Sequence, residues 1–240
     1  TALDVTNNLK LTNLNCSANQ ISSLDISSNA LLDHLTVNSN KLTSLNIDSN
    51  LALTNLNCAG NQLTSLNVSK NLDLTSLWCV SNQLTTLNID ANTALQDLNC
   101  GYNQLTNLNV TNNTNLLYLV CHENKISSIN TTKNILLNQL MVHSNKLTSL
   151  DISNNLDLSL LTCHNNEITS VDVSKHPKIY EVVANNNKLT YLNLKNGNNT
   201  NFTPFYSNFS GNPDLTCIIV DDAAYSNVKW ADLKDAAASF

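Results

Sequence analysis

An asparagine recurs every 21 residues nine times over, at Asn19, Asn40, Asn61, Asn82, Asn103, Asn124, Asn145, Asn166 and Asn187. So strict a period means stacked copies of one small unit, each covering the apolar face that its neighbour cannot bury alone. Around each asparagine runs L-x-x-L-x-C-x-x-N followed by x-L, as in Leu74, Leu77, Cys79, Asn82 and Leu84. A second segment, L-x-x-L-x-V/I-x-x-N, repeats at the same interval, as in Leu63, Leu66, Val68 and Asn71. Both alternate with period two, so each coil is expected to carry two short strands with one face buried. Parallel strands stack about 4.8 Å apart, so every repeat position becomes a ladder along the molecule. The asparagine amide is expected to satisfy backbone groups of the bend that closes each strand, because Asn both bonds in two directions and accepts turn geometry.

The array covers residues 1–197, where Leu189, Leu192 and Leu194 complete the last back segment and Gly197 takes the asparagine's place. Residues 198–240 read as part of the same domain. They comprise a loop from Asn198 to Pro213, a strand at Leu215, Cys217, Ile218 and Val220, and a short helix from Ala223 to Phe240. Tyr225, Trp230 and Leu233 are the residues expected to lie over the open end, since an uncovered last coil exposes core and an unpaired strand edge. At Thr1 the repeat is already under way, with Leu3, Val5 and Asn8 matching Leu24, Ile26 and Asn29, as in an excised region. The first coil is therefore expected to self-associate through its open edge.

Charge and cysteine spacing narrow the function. The net charge is −6 and there is no arginine, which argues against a nucleic-acid partner, whose phosphates need clustered cations. No apolar run approaches a membrane span and no signal-peptide pattern opens the chain. Cys16, Cys58, Cys79, Cys100, Cys121 and Cys163 share one repeat position, filled by Val37, Val142 and Ala184 in other coils. A site that takes Cys, Val or Ala is an inward core site, so these read as free buried thiols rather than disulfides or a zinc site.

Repeats of the form L-T-S-L-N-C-x-x-N-Q-L, ending in Asn212-Pro213-Asp214-Leu215-Thr216-Cys217-Ile218-Ile219-Val220 and a Tyr225-Ser226…Trp230 element, resemble leucine-rich-repeat regions of secreted or surface-anchored proteins of the Bacteroidetes, the flavobacteria among them. The resemblance implies a mainly β solenoid of 21-residue coils, with parallel strands on concave and convex sides and a short helical cap. It also implies a secreted or cell-surface bacterial protein that binds or adheres, with no catalytic residues and no cofactor.

Candidate binding residues are those that break the monotony of the concave positions, the third, fifth, seventh and eighth of L-x-x-L-x-C-x-x-N. The seventh carries His122, His143 and His164 on consecutive coils; the eighth carries Tyr102 and Glu123. The fifth adds Trp78 and Met141, and the third adds Asp97, Tyr118 and Glu181. The convex half offers Thr, Ser, Asn and Asp, with Thr64, Thr85, Thr106, Thr148, Thr169 and Thr190 in one ladder. Exposed aromatics on a rigid sheet bury much area at small entropic cost, so this asymmetry points to a non-enzymatic module that binds a protein or glycan. The histidine ladder allows a metal-binding alternative through His122, His143 and His164, although parallel rings do not converge as tetrahedral zinc requires. Mutual repulsion is expected to depress their titration. A glycan-acting enzyme accessory and, from the threonine ladders, an ice-binding role are the remaining alternatives.

Overall fold

The computed structural model describes residues 2–203 and 205–240. Strands β1 (Ala2–Asp4), β2 (Asn13–Asn15), β3 (Ser23–Asp25), β4 (His34–Thr36), β5 (Asn55–Asn57), β6 (Ser76–Trp78) and β7 (Asp97–Asn99) open the chain. Then follow β8 (Tyr118–Val120), β9 (Gln139–Met141), β10 (Leu160–Thr162), β11 (Ser170–Asp172), β12 (Glu181–Val183), β13 (Tyr191–Asn193) and β14 (Ile218–Ile219). Nine of them form one parallel sheet in the order β12-β10-β9-β8-β7-β6-β5-β4-β2. This is the concave side of a leucine-rich-repeat solenoid. The register is one coil per step, with Leu56 opposite Leu77 and Leu77 opposite Leu98, so like positions do form ladders.

The convex side is less regular than two strands per coil. Among the described residues strands form there only near the ends, as the pair β1-β3 and the trio β11-β13-β14. In the coils between, that segment is extended but held by side chains: the Asn67 carboxamide oxygen accepts the Ser69 N–H at 3.1 Å, and Asn109 accepts Thr111 likewise.

Between the two sides lies a narrow core of Leu53, Leu56, Leu63, Leu74, Leu77 and Leu84, all essentially inaccessible, with like residues in the other coils; in the first coil their equivalents Leu11 and Leu14 are only partly buried. The six ladder cysteines are free and buried, and Cys217 is free and exposed. Burial pushes the thiols of Cys58, Cys121 and Cys163 up to about 12 and those of Cys79 and Cys100 well above their ordinary value, so they stay protonated as small apolar groups.

Two asparagine ladders stitch the coils together. The Asn82 amide donates to Cys58 O of the previous coil at 3.0 Å and to Cys79 O of its own at 3.1 Å, while its oxygen accepts the Leu63 N–H at 3.0 Å. The second ladder donates backwards: Asn71 reaches Ile47 O at 3.2 Å and Asn50 O at 2.8 Å. His176 stands in this ladder and uses Nε2 to donate to Ile152 O at 3.1 Å, which fixes its tautomer and explains why an imidazole can replace the amide.

The carboxy-terminal segment departs from expectation in two ways. The stretch from Asn198 to Pro213 is not wholly a loop, because it contains a tenth concave segment. Asn208 bridges Val183, Phe209 fills the cysteine position fully buried, and Asn212 makes the ladder's bonds to Ala184 O, Phe209 O and the Leu189 N–H. The helix α1 covers only Ala223–Lys229, started by the Asp222 carboxylate, which accepts from Ala224 and Tyr225. A 3-10 turn at Ala231–Leu233 follows it, and the tail then pairs alongside the last strand, where Ser239 donates to Thr216 O and accepts from Ile218. Trp230 is fully buried against Phe202, Phe209, Tyr225 and Phe240, and closes the core at that end together with partly buried Tyr225 and Leu233.

Candidate functional site

Alternation places every second strand residue of the sheet on its open side. In β6, Leu77 points inward while Ser76 and Trp78 point out, leaving Trp78 41% exposed. One coil on, the Asp97 carboxylate accepts the Trp78 indole N–H at 2.7 Å and lies 3.5 Å from the Ser76 hydroxyl. Tyr118 is the register partner of Asp97 and is 40% exposed, so the carboxylate stands between the strand bearing the indole and the strand bearing the phenol. Sequence reasoning had not singled out Ser76. The available signal was the offset of 19 residues that sets a fifth position beside the third position of the next coil.

The histidine ladder is a ring stack. His122 and His143 centroids lie 4.3 Å apart at 10°, and His143 and His164 are 4.3 Å apart at 9°. Tyr102 meets His122 edge-on at 5.0 Å. The stack rests on Gly101, where a Cβ would come within 3.0 Å of the His122 ring. Thr162 bonds His143 Nδ1 at 2.9 Å.

All three imidazoles have lowered pKa values, and the leading cause is burial rather than mutual repulsion. His143, in the middle, is brought down to about 3 by burial and then by His164 and His122. The repulsion expected from sequence is thus a secondary contribution at His143 and His164 and is absent at His122. For His122 and His164, Glu123 opposes the shift. Among the described residues, no three His, Cys, Asp or Glu side chains are grouped so as to hold a metal ion. Parallel rings keep their nitrogens from converging on one point.

Tyr102 and Glu123 are not on the flat of the sheet. They occupy the left-handed turn that ends each strand, with φ of 48° and 51°, a position filled elsewhere by Ala18, Ser39, Gly60 and Asn165. Their side chains stand at the rim, where Tyr102 is 54% exposed. Between indole and imidazoles the sheet mixes apolar Val120, Met141 and Leu160 with polar Asn99, Gln139 and Thr162. Glu181 stands apart at the far end of the sheet, its carboxyl pushed up by burial. The structure thus gathers Trp78, Asp97 and Tyr118 in one group and Tyr102, His122, His143 and His164 in another, with Met141 between them. On the edge before the strands, Leu9, Leu51, Leu72 and Leu156 are exposed, a row that the repeat pattern alone did not flag.

The surface is open. Depressions lined by Thr85, Leu87, Asp90 and Asn109, and by Leu150, Asp151, Asp172 and His176, lie on the convex side, away from the aromatic groups. Asp97 lies on the flat of the sheet, Glu123 in the turn at its rim and Glu181 at the far end of the sheet. No described helix is long and apolar enough to cross a membrane.

No protein-family model matches the chain, and no curated protein sequence matches it. Solved structures do. The functional domain of InlJ from Listeria monocytogenes, described as including a cysteine ladder, is 33% identical with a TM-score of 0.83 over 91% of this chain and 50% of its own. A leucine-rich-repeat protein of Leptospira interrogans is 25% identical with a TM-score of 0.78, covering 90% of this chain and 58% of its own. YopM, a leucine-rich effector protein of Yersinia pestis, shares the fold at 20% identity and a TM-score of 0.64, over 88% of this chain and 72% of its own. The chain spans about half the length of the first two. The leucine-rich-repeat fold is common to all three; the similarity does not extend to a particular bacterial group.

Proposed function

We propose that this chain is a non-enzymatic recognition module that binds a protein ligand on its concave sheet, outside a bacterial cell, either secreted or held at the surface. The observation that carries the reading is the clustering of Trp78, Tyr118, Met141 and the imidazole stack on neighbouring coils of one face, while the back carries mainly small polar residues, with Tyr191 on β13 as an exposed aromatic there. Aromatic side chains held on a rigid sheet are the usual anchors of an interface. Val120, Met141 and Leu160 add apolar contact area of the kind that protein side chains fill, which favours protein over glycan. A glycan remains the second reading, because an indole bonded to a carboxylate also suits a sugar ring.

The test is a parallel display of protein fragments and a glycan array, probed with the native chain and with Trp78→Ala, Tyr118→Ala, Thr85→Ala and Thr106→Ala. Trp78→Ala and Tyr118→Ala should each weaken binding by about 2 kcal/mol or more if these are hot spots, with the fold intact. The threonine changes should leave binding unaltered. Loss through Thr85→Ala or Thr106→Ala with the concave variants unaffected would move the site to the other side of the molecule.

A further inference from the structure

We infer that the ligand is a basic protein segment, and that a lysine or arginine side chain from it seats against Asp97 between Trp78 and Tyr118. The inference rests on the concave reading and names the chemistry of what that face takes.

Its first support is the distribution of charge. The chain has twelve lysines, yet none occupies a third, fifth, seventh or eighth concave position in any of the nine coils. The carboxylates on those positions are Asp97, Glu123 and Glu181. His122, His143 and His164 add no positive charge at neutral pH, because their pKa values are lowered. His34 lies two strands before Trp78 and is paired with Asp33 at 2.9 Å. An acidic or phosphorylated ligand would meet only like charge on this face, and a basic one meets complementary charge.

The second support is the local chemistry of Asp97. Its contacts, the indole N–H at 2.7 Å and the Ser76 hydroxyl at 3.5 Å, both come from the preceding coil. The Tyr118 coil on its other side supplies no cation, and the side chain is only partly buried. A carboxylate flanked by exposed aromatic rings is suited to an ammonium or guanidinium group, which gains a charge-assisted bond and contact with the ring faces together. Val120 and Met141, on the neighbouring strands, offer apolar surface to the aliphatic stem of such a residue.

The test is selection of a randomised displayed peptide library on the native chain, with eluates re-tested on Trp78→Ala and Asp97→Asn, each first confirmed folded by thermal melting. Enriched sequences should carry Lys or Arg, lose at least tenfold in affinity on Asp97→Asn, and weaken as salt rises because exposed charge pairs are screened. Enriched acidic or uncharged peptides that still lose binding on Trp78→Ala would overturn the basic-ligand assignment and leave the concave site standing. Neutral glycans that bind and are lost on Trp78→Ala would do the same. No enrichment, or peptides indifferent to Trp78→Ala, would overturn both.

Discussion

The Trp78 indole N–H donates to the Asp97 carboxylate of the next coil, so an exposed aromatic is tied down by a residue 19 positions later in the chain. That bond orients the ring in the unliganded protein and reduces the entropy lost on binding. Asp97→Ala should release it: acrylamide quenching of tryptophan emission should rise, while Asp97→Asn, which keeps an acceptor oxygen, should change it little. Trp230, fully buried, supplies a constant background. Unchanged quenching in Asp97→Ala would mean that the bond does not hold the ring.

Asn82 should matter far more to stability than Cys79. Asn82→Ala removes two amide donations, to Cys58 O and Cys79 O, and leaves the buried Leu63 N–H without its acceptor. Each unpaired buried group costs about 1–3 kcal/mol, so a loss of about 3 kcal/mol in urea unfolding is expected. Cys79→Val, already tolerated at the equivalent Val37, should cost less than about 1.5 kcal/mol. Because the ladder thiols are free, reductant should not move the melting temperature.

What was legible in the sequence followed from stacking. Once coils repeat at 21 residues, Cys79 must face inward and Trp78 outward, and both do. The Asn82 bonds were legible in kind but not in partner, since the bridge to Cys58 O crosses between coils. Asn212 was hidden because it follows Asn187 by 25 residues instead of 21, and Phe209 stands where cysteine was expected. The left-handed turn at Tyr102 had a visible sign, the glycine at the equivalent Gly60, but Tyr and Glu in the same ladder obscured it. The Trp78–Asp97 bond joins two different ladder positions, so no reading of single ladders could show it.

Acid should weaken the fold through the imidazole stack. The His143 pKa lies at about 3 in the folded chain, against about 6.5 when unfolded. Between those values the unfolded chain binds more protons, so stability is full above about pH 6.5 and falls as pH drops towards 3. His122 and His164 shift the same way and add to the loss. Carboxylates with lowered values, such as Asp151 and Glu167, begin to contribute only from about pH 5 downwards, so the step from pH 7 to 5 isolates the imidazoles. Urea midpoints at pH 7, 5 and 4 should therefore fall more steeply for the native chain than for His143→Thr. Equal slopes would show that the stack does not titrate as placed.

Tyr102 should carry a trade between stability and binding. Its φ of 48° is a backbone conformation that a bulky residue holds at a cost, and glycine fills the same place at Gly60. In return its ring packs edge-on against His122 at 5.0 Å and stands 54% exposed at the rim. Tyr102→Gly relieves the strain but removes the ring contact and adds unfolded-state entropy, so the net change in stability should stay within about 1 kcal/mol. Affinity for a concave ligand should fall measurably, because the rim aromatic is gone while the fold remains. Denaturant melts and a binding isotherm on the same preparation separate the two effects. A loss of several kcal/mol of stability would show that the Tyr102 ring supports the turn, and affinity equal to the native chain's would take this residue out of the binding surface.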